Sequence, residues 1–173
     1  LGGQDTAHPL HLISNQPKNK LHSQIDHGSY SKSSKIGGRE PVHMHPDDAA
    51  ARGLVDDDIV RVFNHRGACL GGIRIDINLR PRVIQMSTGA WYDPLDPSTK
   101  DSLCKHGNPN VLTPDKGTSK LGQGPIAHSC LVEVERFNGT PPPVTAHHPP
   151  VILTPNIQTP EIKNPDHSSK DTP

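Results

Sequence analysis

The apolar residues of this chain come in runs of about four to six, and nowhere do they recur at the 3.6-residue spacing of an amphipathic helix. Short strands are what such a pattern can build. His8 to Ile13 (HPLHLI) is the first run, and it stops at Ser14-Asn15-Gln16-Pro17, a cluster that breaks strands and presents polar groups. Pro41 to Met44 (PVHM), Asp58 to Phe63 (DIVRVF), Ala68 to Ile77, Arg82 to Met86 (RVIQM) and Cys130 to Val134 (CLVEV) are the other predicted strands. Asn64-His65-Arg66-Gly67 reads as a hairpin turn, and Gly71-Gly72 inside the returning strand marks a bulge or a close approach of backbone. One helix is predicted, over Pro46–Arg52: proline in the first turn, acids near the positive end, three alanines, and Gly53 to close. Strands joined by tight turns with long irregular insertions describe a β-barrel or sandwich, not a βαβ repeat.

The hydrophobic fraction is 31%, and the shortfall is concentrated after Asn138, where prolines cluster around one short apolar run. Such a segment buries too little apolar surface to offset its ordering entropy. The expected organisation is therefore a lead-in over 1–7, a folded body over 8–139, and a flexible Pro-rich tail over 140–173. The chain opens Leu-Gly-Gly with no initiator Met and no leader pattern, so a piece of a longer polypeptide is expected.

Charge excludes several partners. With 18 basic and 18 acidic side chains the formal net charge is zero, against binding to nucleic acid or an anionic membrane surface. Two Phe, two Tyr and one Trp make no platform for stacked bases. Three widely spaced cysteines, Cys69, Cys104 and Cys130, fit neither a disulfide framework nor a zinc site and read as reduced structural thiols.

Twelve histidines raise the question of a metal. His43-x-His45 would put two imidazoles on one strand face, and His147-His148 lies in the tail, but neither has a third ligand at metal-site spacing. No protein metal ligand is expected, and no catalytic residue, since there is no GxSxG elbow and no GxGxxG. Two segments are built differently. Ser14 to Gln24 (SNQPKNKLHSQ) is dense in uncharged donors and acceptors, and Cys104 to Gly124 combines asparagines, hydroxyls, an amide and four glycines. Glycines admit close approach of backbone N–H groups, and amides read heteroaromatic edges. On composition alone, two ordinary surface loops are the favoured reading.

Resemblance separates them. HPLHLISNQP…LHSQ, GREPVHMHPDDAAARGLVDDDIVRVFNHRGACLGG, GAWYDP and HGNPNVLTPDKGTSKLGQG together resemble the molybdopterin dinucleotide-binding domain of the dimethyl sulfoxide reductase family, from about His8 to Gly139. Biotin sulfoxide and trimethylamine N-oxide reductases are the branches it looks closest to. The helix-and-hairpin segment is shared widely and speaks to fold; LHSQ and NVLTPDKGTSKLGQG are far more specific.

The resemblance implies a mainly β fold, a double-psi β-barrel of the aspartate-decarboxylase-like kind with one or two short helices. It implies a bis(molybdopterin guanine dinucleotide) cofactor whose molybdenum is held by the cofactor and by a residue outside this chain. Carried over residue by residue, Ser14, Asn15 and Gln16 would contact one dinucleotide, and His22, Ser23 and Gln24 would bond pterin or phosphate groups. Asn108, Gly122 and Gln123 would line a second strip with Lys120 beside them; Trp91 and Tyr92 are expected at the core or rim. The partners would be the remaining domains of a reductase of S-oxides or N-oxides, and this chain by itself would be inactive. Two alternatives are a stand-alone molybdopterin-binding barrel and a protein-interaction barrel without redox activity. Free cysteines lean the compartment toward cytoplasm, as for biotin sulfoxide reductases, over the periplasm usual for trimethylamine N-oxide reductases.

Overall fold

The computed structural model describes residues 7–149. Six strands close into a barrel: β1 (Leu10–Ile13), β2 (Pro41–Met44), β3 (Ile59–Asn64), β4 (Gly67–Ile75), β5 (Val83–Met86) and β6 (Ser129–Arg136), in the order β1-β5-β2-β4-β3-β6 with β6 returning to β1. Two pairs are parallel, β1 with β5 and β2 with β4, and the rest antiparallel. Closure removes free strand edges, which lets strands as short as four residues hold a core.

Alternation sets the interior. Leu10 and Leu12, Val42 and Met44, Val60 and Val62, Ile84 and Met86, Val132 and Val134 all point inward and are buried. β3 and β4 turn over His65-Arg66, with Asn64 paired to Gly67 and Asn64 Oδ1 accepting from the Arg66 N–H. The glycine pair of β4 marks a close approach and no bulge: register runs on unbroken, while a Cβ on Gly72 would lie 2.3 Å from the Ile36 Cβ.

Helix α2 (Pro46–Ala50) follows β2 directly, shorter than the predicted Pro46–Arg52 because residues 51–53 leave the helix as a turn that Gly53 closes at φ 63°. His45 is its N-cap, its Nδ1 accepting from the Asp47 N–H at 3.2 Å. That occupies one half of the His43-x-His45 pair in capping. α1 (Ser29–Ser33) was not predicted; it carries neither an apolar stripe nor a side-chain cap.

Residues 140–149 lack regular structure but are tied to the body: Arg39 donates to the Pro142 carbonyl, and Thr145 and His147 bond Asp93 and Asp26. The flexible tail expected from residue 140 is thus anchored over its first ten residues, and its remainder lies outside the described residues.

Candidate functional site

β1 ends against two neighbours. The Ser14 N–H donates to the His128 carbonyl at 2.9 Å, and the Asn15 carbonyl accepts from the Thr88 N–H at 2.9 Å. The strand therefore delivers Ser14 and Asn15 to the mouth of the barrel in fixed positions. There, Ser14 Oγ and Asn15 Oδ1 are buried with no hydrogen-bond partner in the protein. Buried polar atoms are almost always paired, so two orphans on successive residues mark a place where a ligand atom belongs.

Beyond Thr88 lies a cleft of about 380 Å³ lined by His22, Ser23, Thr88, Gly89, Ala90, Trp91, Tyr92, Asn108 and Asn110. It joins three stretches remote in sequence. A tight turn, closed by the Gln24 N–H on the Leu21 carbonyl at 2.8 Å, presents His22 and Ser23, with His22 at φ 52°. The segment after β5 crosses beneath it at Gly89. Asn108 caps the 3-10 turn Pro109–Val111, its Oδ1 accepting from the Asn110 N–H at 2.9 Å. The lining offers hydroxyls, carboxamides, an imidazole and the faces of Trp91 and Tyr92, with no carboxylate among the described residues. That set can bind a flat, hydrogen-bonding heterocycle; it holds no nucleophile paired with a general base.

The expected residues divide. His22, Ser23 and Asn108 converge on the cleft, and Ser14 and Asn15 reach it through Thr88. Gln16 and Gln24 are exposed outside it. Lys120, Gly122 and Gln123 stand on an exposed loop held by its own bonds, Gly122 N–H to Ser119 Oγ at 2.8 Å and Gln123 Nε2 to the Lys120 carbonyl at 3.2 Å. That loop reaches the site only at its root, where His128 meets Ser14. Trp91 and Tyr92 are rim residues of the cleft.

Behind the cleft lies a charged quartet that sequence reasoning missed. Lys20 Nζ donates to Asp26 Oδ1 and Glu40 Oε1, both at 2.7 Å; Lys35 Nζ lies 2.6 Å from Glu40 Oε2 and 3.0 Å from Asp26 Oδ1. All four side chains are at most 6% exposed. Burial opposes ionisation of Asp26, yet bonds from Lys20, His147 and Lys35 outweigh it and hold the carboxyl well below the usual range. Burial likewise works against the Lys20 ammonium, but Glu40 and Asp26 prevail and its pKa is raised.

Above Asp26 sit two histidines. His106, fully buried, has Nδ1 at 3.1 Å from the Trp91 carbonyl, while His147 Nε2 is 3.0 Å from Asp26 Oδ2. Burial first, then the Lys35 charge, brings His106 down to about 4, so it is neutral at pH 7. Its Nδ1 is then the donor to Trp91, and Nε2 is left without a partner. Asp26, His106 and His147 bring ligand-type atoms within 4.8 Å of one another. Two ammonium groups already neutralise Asp26 there, and a divalent cation would face like charge in a buried pocket. Within the trio His147 is hydrogen-bonded to Asp26, and His106 packs edge-on against His147.

Residues 10–131 match the Molydopterin dinucleotide binding domain family. The dimethyl sulfoxide/trimethylamine N-oxide reductase of Cereibacter sphaeroides is 45% identical over 150 residues, 87% of this chain and 18% of that protein. A trimethylamine-N-oxide reductase of Salmonella typhimurium is 47% identical over 146 residues, 84% of this chain and 17% of that protein. The chain thus spans under a fifth of the length of these curated relatives. Among solved structures, acetylene hydratase from Pelobacter acetylenicus superposes with a TM-score of 0.59 at 17% identity, over 75% of this chain and 18% of that one. At that identity the likeness is one of fold.

Proposed function

The chain belongs to the Molydopterin dinucleotide binding domain family, and on that premise we propose that it holds a bis(molybdopterin guanine dinucleotide) molybdenum cofactor as the C-terminal domain of a reductase of S-oxides or N-oxides. The observation that carries this is the pair of orphaned buried atoms, Ser14 Oγ and Asn15 Oδ1, on a strand end that the Asn15 carbonyl ties to Thr88, a wall residue of the cleft that His22, Ser23 and Asn108 also line. The residues present fit such a group: uncharged donors and acceptors suit a pterin edge, and Gly89 lets the His22–Ser23 turn close onto the cleft floor in backbone contact. The two relatives named above support dimethyl sulfoxide or trimethylamine N-oxide as the kind of substrate.

Bound there, the cofactor supplies the oxygen-atom transfer and redox chemistry. The work of this chain is binding and orientation. Ser14 and Asn15 would satisfy their unpaired oxygens on the ligand, His22 and Ser23 would hold its edge from one wall, and Asn108 from the other. Trp91 and Tyr92 cover apolar area and exclude water. Replacing His22 or Asn108 with Ala in the full-length enzyme should lower the molybdopterin recovered per protein several-fold, with the unfolding midpoint shifted little. A full cofactor complement in both variants would refute the assignment.

A further inference from the structure

The segment after the last strand runs back to Asp93, Asp26 and Trp91, the last of which lines the cleft. Thr145 donates its N–H to Asp93 Oδ2 at 2.7 Å and its hydroxyl to Asp93 Oδ1 at 2.6 Å, and receives Lys105 Nζ on Oγ1 at 2.7 Å. Two residues on, His147 bonds Asp26 and packs edge-on against two rings, Trp91 at 5.3 Å and His106 at 4.9 Å between centroids. Val144 lies against Gly38, where an added Cβ would be 3.5 Å from its Cγ2. Asp93, Asp26 and Trp91 are thereby joined by one short strap.

Trp91 is where these contacts meet the binding surface. Its indole Nε1 donates to the Ser23 carbonyl at 2.7 Å, its carbonyl faces His106 Nδ1, and its ring lines the cleft. Two rings pack against the indole, His27 at 5.6 Å between centroids and His147 of the strap at 5.3 Å. A Pro-rich segment suits the task, because its restricted backbone loses less entropy on docking.

We propose that Thr145 and His147 are positioning residues: the strap they anchor fixes Trp91 and, through the Trp91–Ser23 hydrogen bond, the His22–Ser23 turn, so that the binding cleft is complete only when the strap is docked. This rests on the cleft being the cofactor site for its purpose, but its structural content does not.

Trp91 is the single tryptophan of the chain, so its emission reads the proposal directly. In the 173-residue chain without cofactor, H147A should shift Trp91 emission to the red and raise acrylamide quenching at least twofold. Amide exchange at residues 21–28 and 90–93 should quicken at least tenfold while β3 and β4 stay protected. T145V, which removes the hydroxyl bonds to Asp93 and Lys105, should do the same more weakly. H147Q, still able to donate to Asp26, should recover most of the exchange protection. If H147A does not fold, T145V gives the test by itself, with H147Q as the rescued control. Unchanged emission and exchange in T145V, and in H147A where it folds, would overturn the proposal, as would loss of protection throughout the barrel in T145V. Cofactor content of the full-length H147A enzyme then tests the other reading: a displaced Trp91 with undiminished cofactor leaves the strap in place and rejects the cleft as the cofactor site.

Discussion

The carbonyl oxygen of His22 occupies the space where Gly89 would carry a side chain: a Cβ built on Gly89 lies 1.9 Å from it. The turn that presents His22 and the segment that floors the cleft are therefore in backbone contact, and Gly89, at φ 94°, is the residue that permits it. Gly89→Ala should push the two apart. We expect destabilisation of about 2–3 kcal/mol from the forced shift and the left-handed backbone, and loss of cofactor retention in the full-length enzyme. A chemical denaturation midpoint equal to the wild type would contradict it.

Ser14 should behave in the opposite sense. Its hydroxyl is buried and unpaired, so removing it relieves a desolvation cost of roughly 1–3 kcal/mol. Ser14→Ala should leave the chain as stable as the wild type or more so, while weakening cofactor binding in the full-length enzyme. Most core substitutions destabilise, and a stabilising one that costs a ligand identifies a binding atom. Urea titration and cofactor quantification on the same variant decide it; lower stability with full cofactor would show a structural hydroxyl.

Stability should also fall in mild acid. His106 is neutral in the folded chain down to about pH 4, whereas an unfolded histidine takes a proton near pH 6.5. Between those values the unfolded state binds more protons, so stability decreases as pH falls, by about 1.4 kcal/mol per unit and roughly 3 kcal/mol in all. Asp26 contributes in a lower window: its depressed carboxyl stabilises the fold above the unfolded value of 3.8 and ceases to do so as pH drops further. In H106Q, where the amide can still donate to the Trp91 carbonyl, the dependence between pH 6.5 and about 4.5 should flatten. An undiminished slope would place the acid sensitivity elsewhere.

Legibility in the sequence followed the physics of each element. β3 was readable because alternation survives where one face is a core, its residues alternating half-buried and buried along its whole length, whereas β4, buried at six successive positions, was readable from the turn that precedes it. α2 was readable from Pro46 and the acids after it. α1 was not: SYSKS buries only Ser31, and no apolar period announces it. The meeting of His22 with Asn108 was expected from the two donor-rich segments, but Lys120, Gly122 and Gln123 looked alike in composition and stand apart. Composition reports what a loop can bond, and only the barrel register decides which loops share a mouth. The cluster of Lys20, Asp26, Lys35 and Glu40 was not legible, since pairing across such intervals leaves no local signal.

That quartet carries the last prediction. Two cations and two carboxylates share one buried site, each cation touching both acids, so the cluster is neutral as a whole. Lys20→Met removes one charge and leaves a net negative site with Asp26 and Glu40 competing for Lys35. Breaking a buried pair in this way costs about 3–5 kcal/mol, since the remaining charge is uncompensated. Removing Lys20 and Glu40 together leaves Lys35 and Asp26, 3.0 Å apart and neutral again. The double variant K20M/E40Q should therefore be more stable than K20M alone and far more stable than the sum of the two single losses. A double-mutant cycle by urea unfolding measures this, with a coupling of at least about 1 kcal/mol expected for groups in one network. Additive losses would mean that the four charges act independently and that their burial is not sustained by mutual neutralisation.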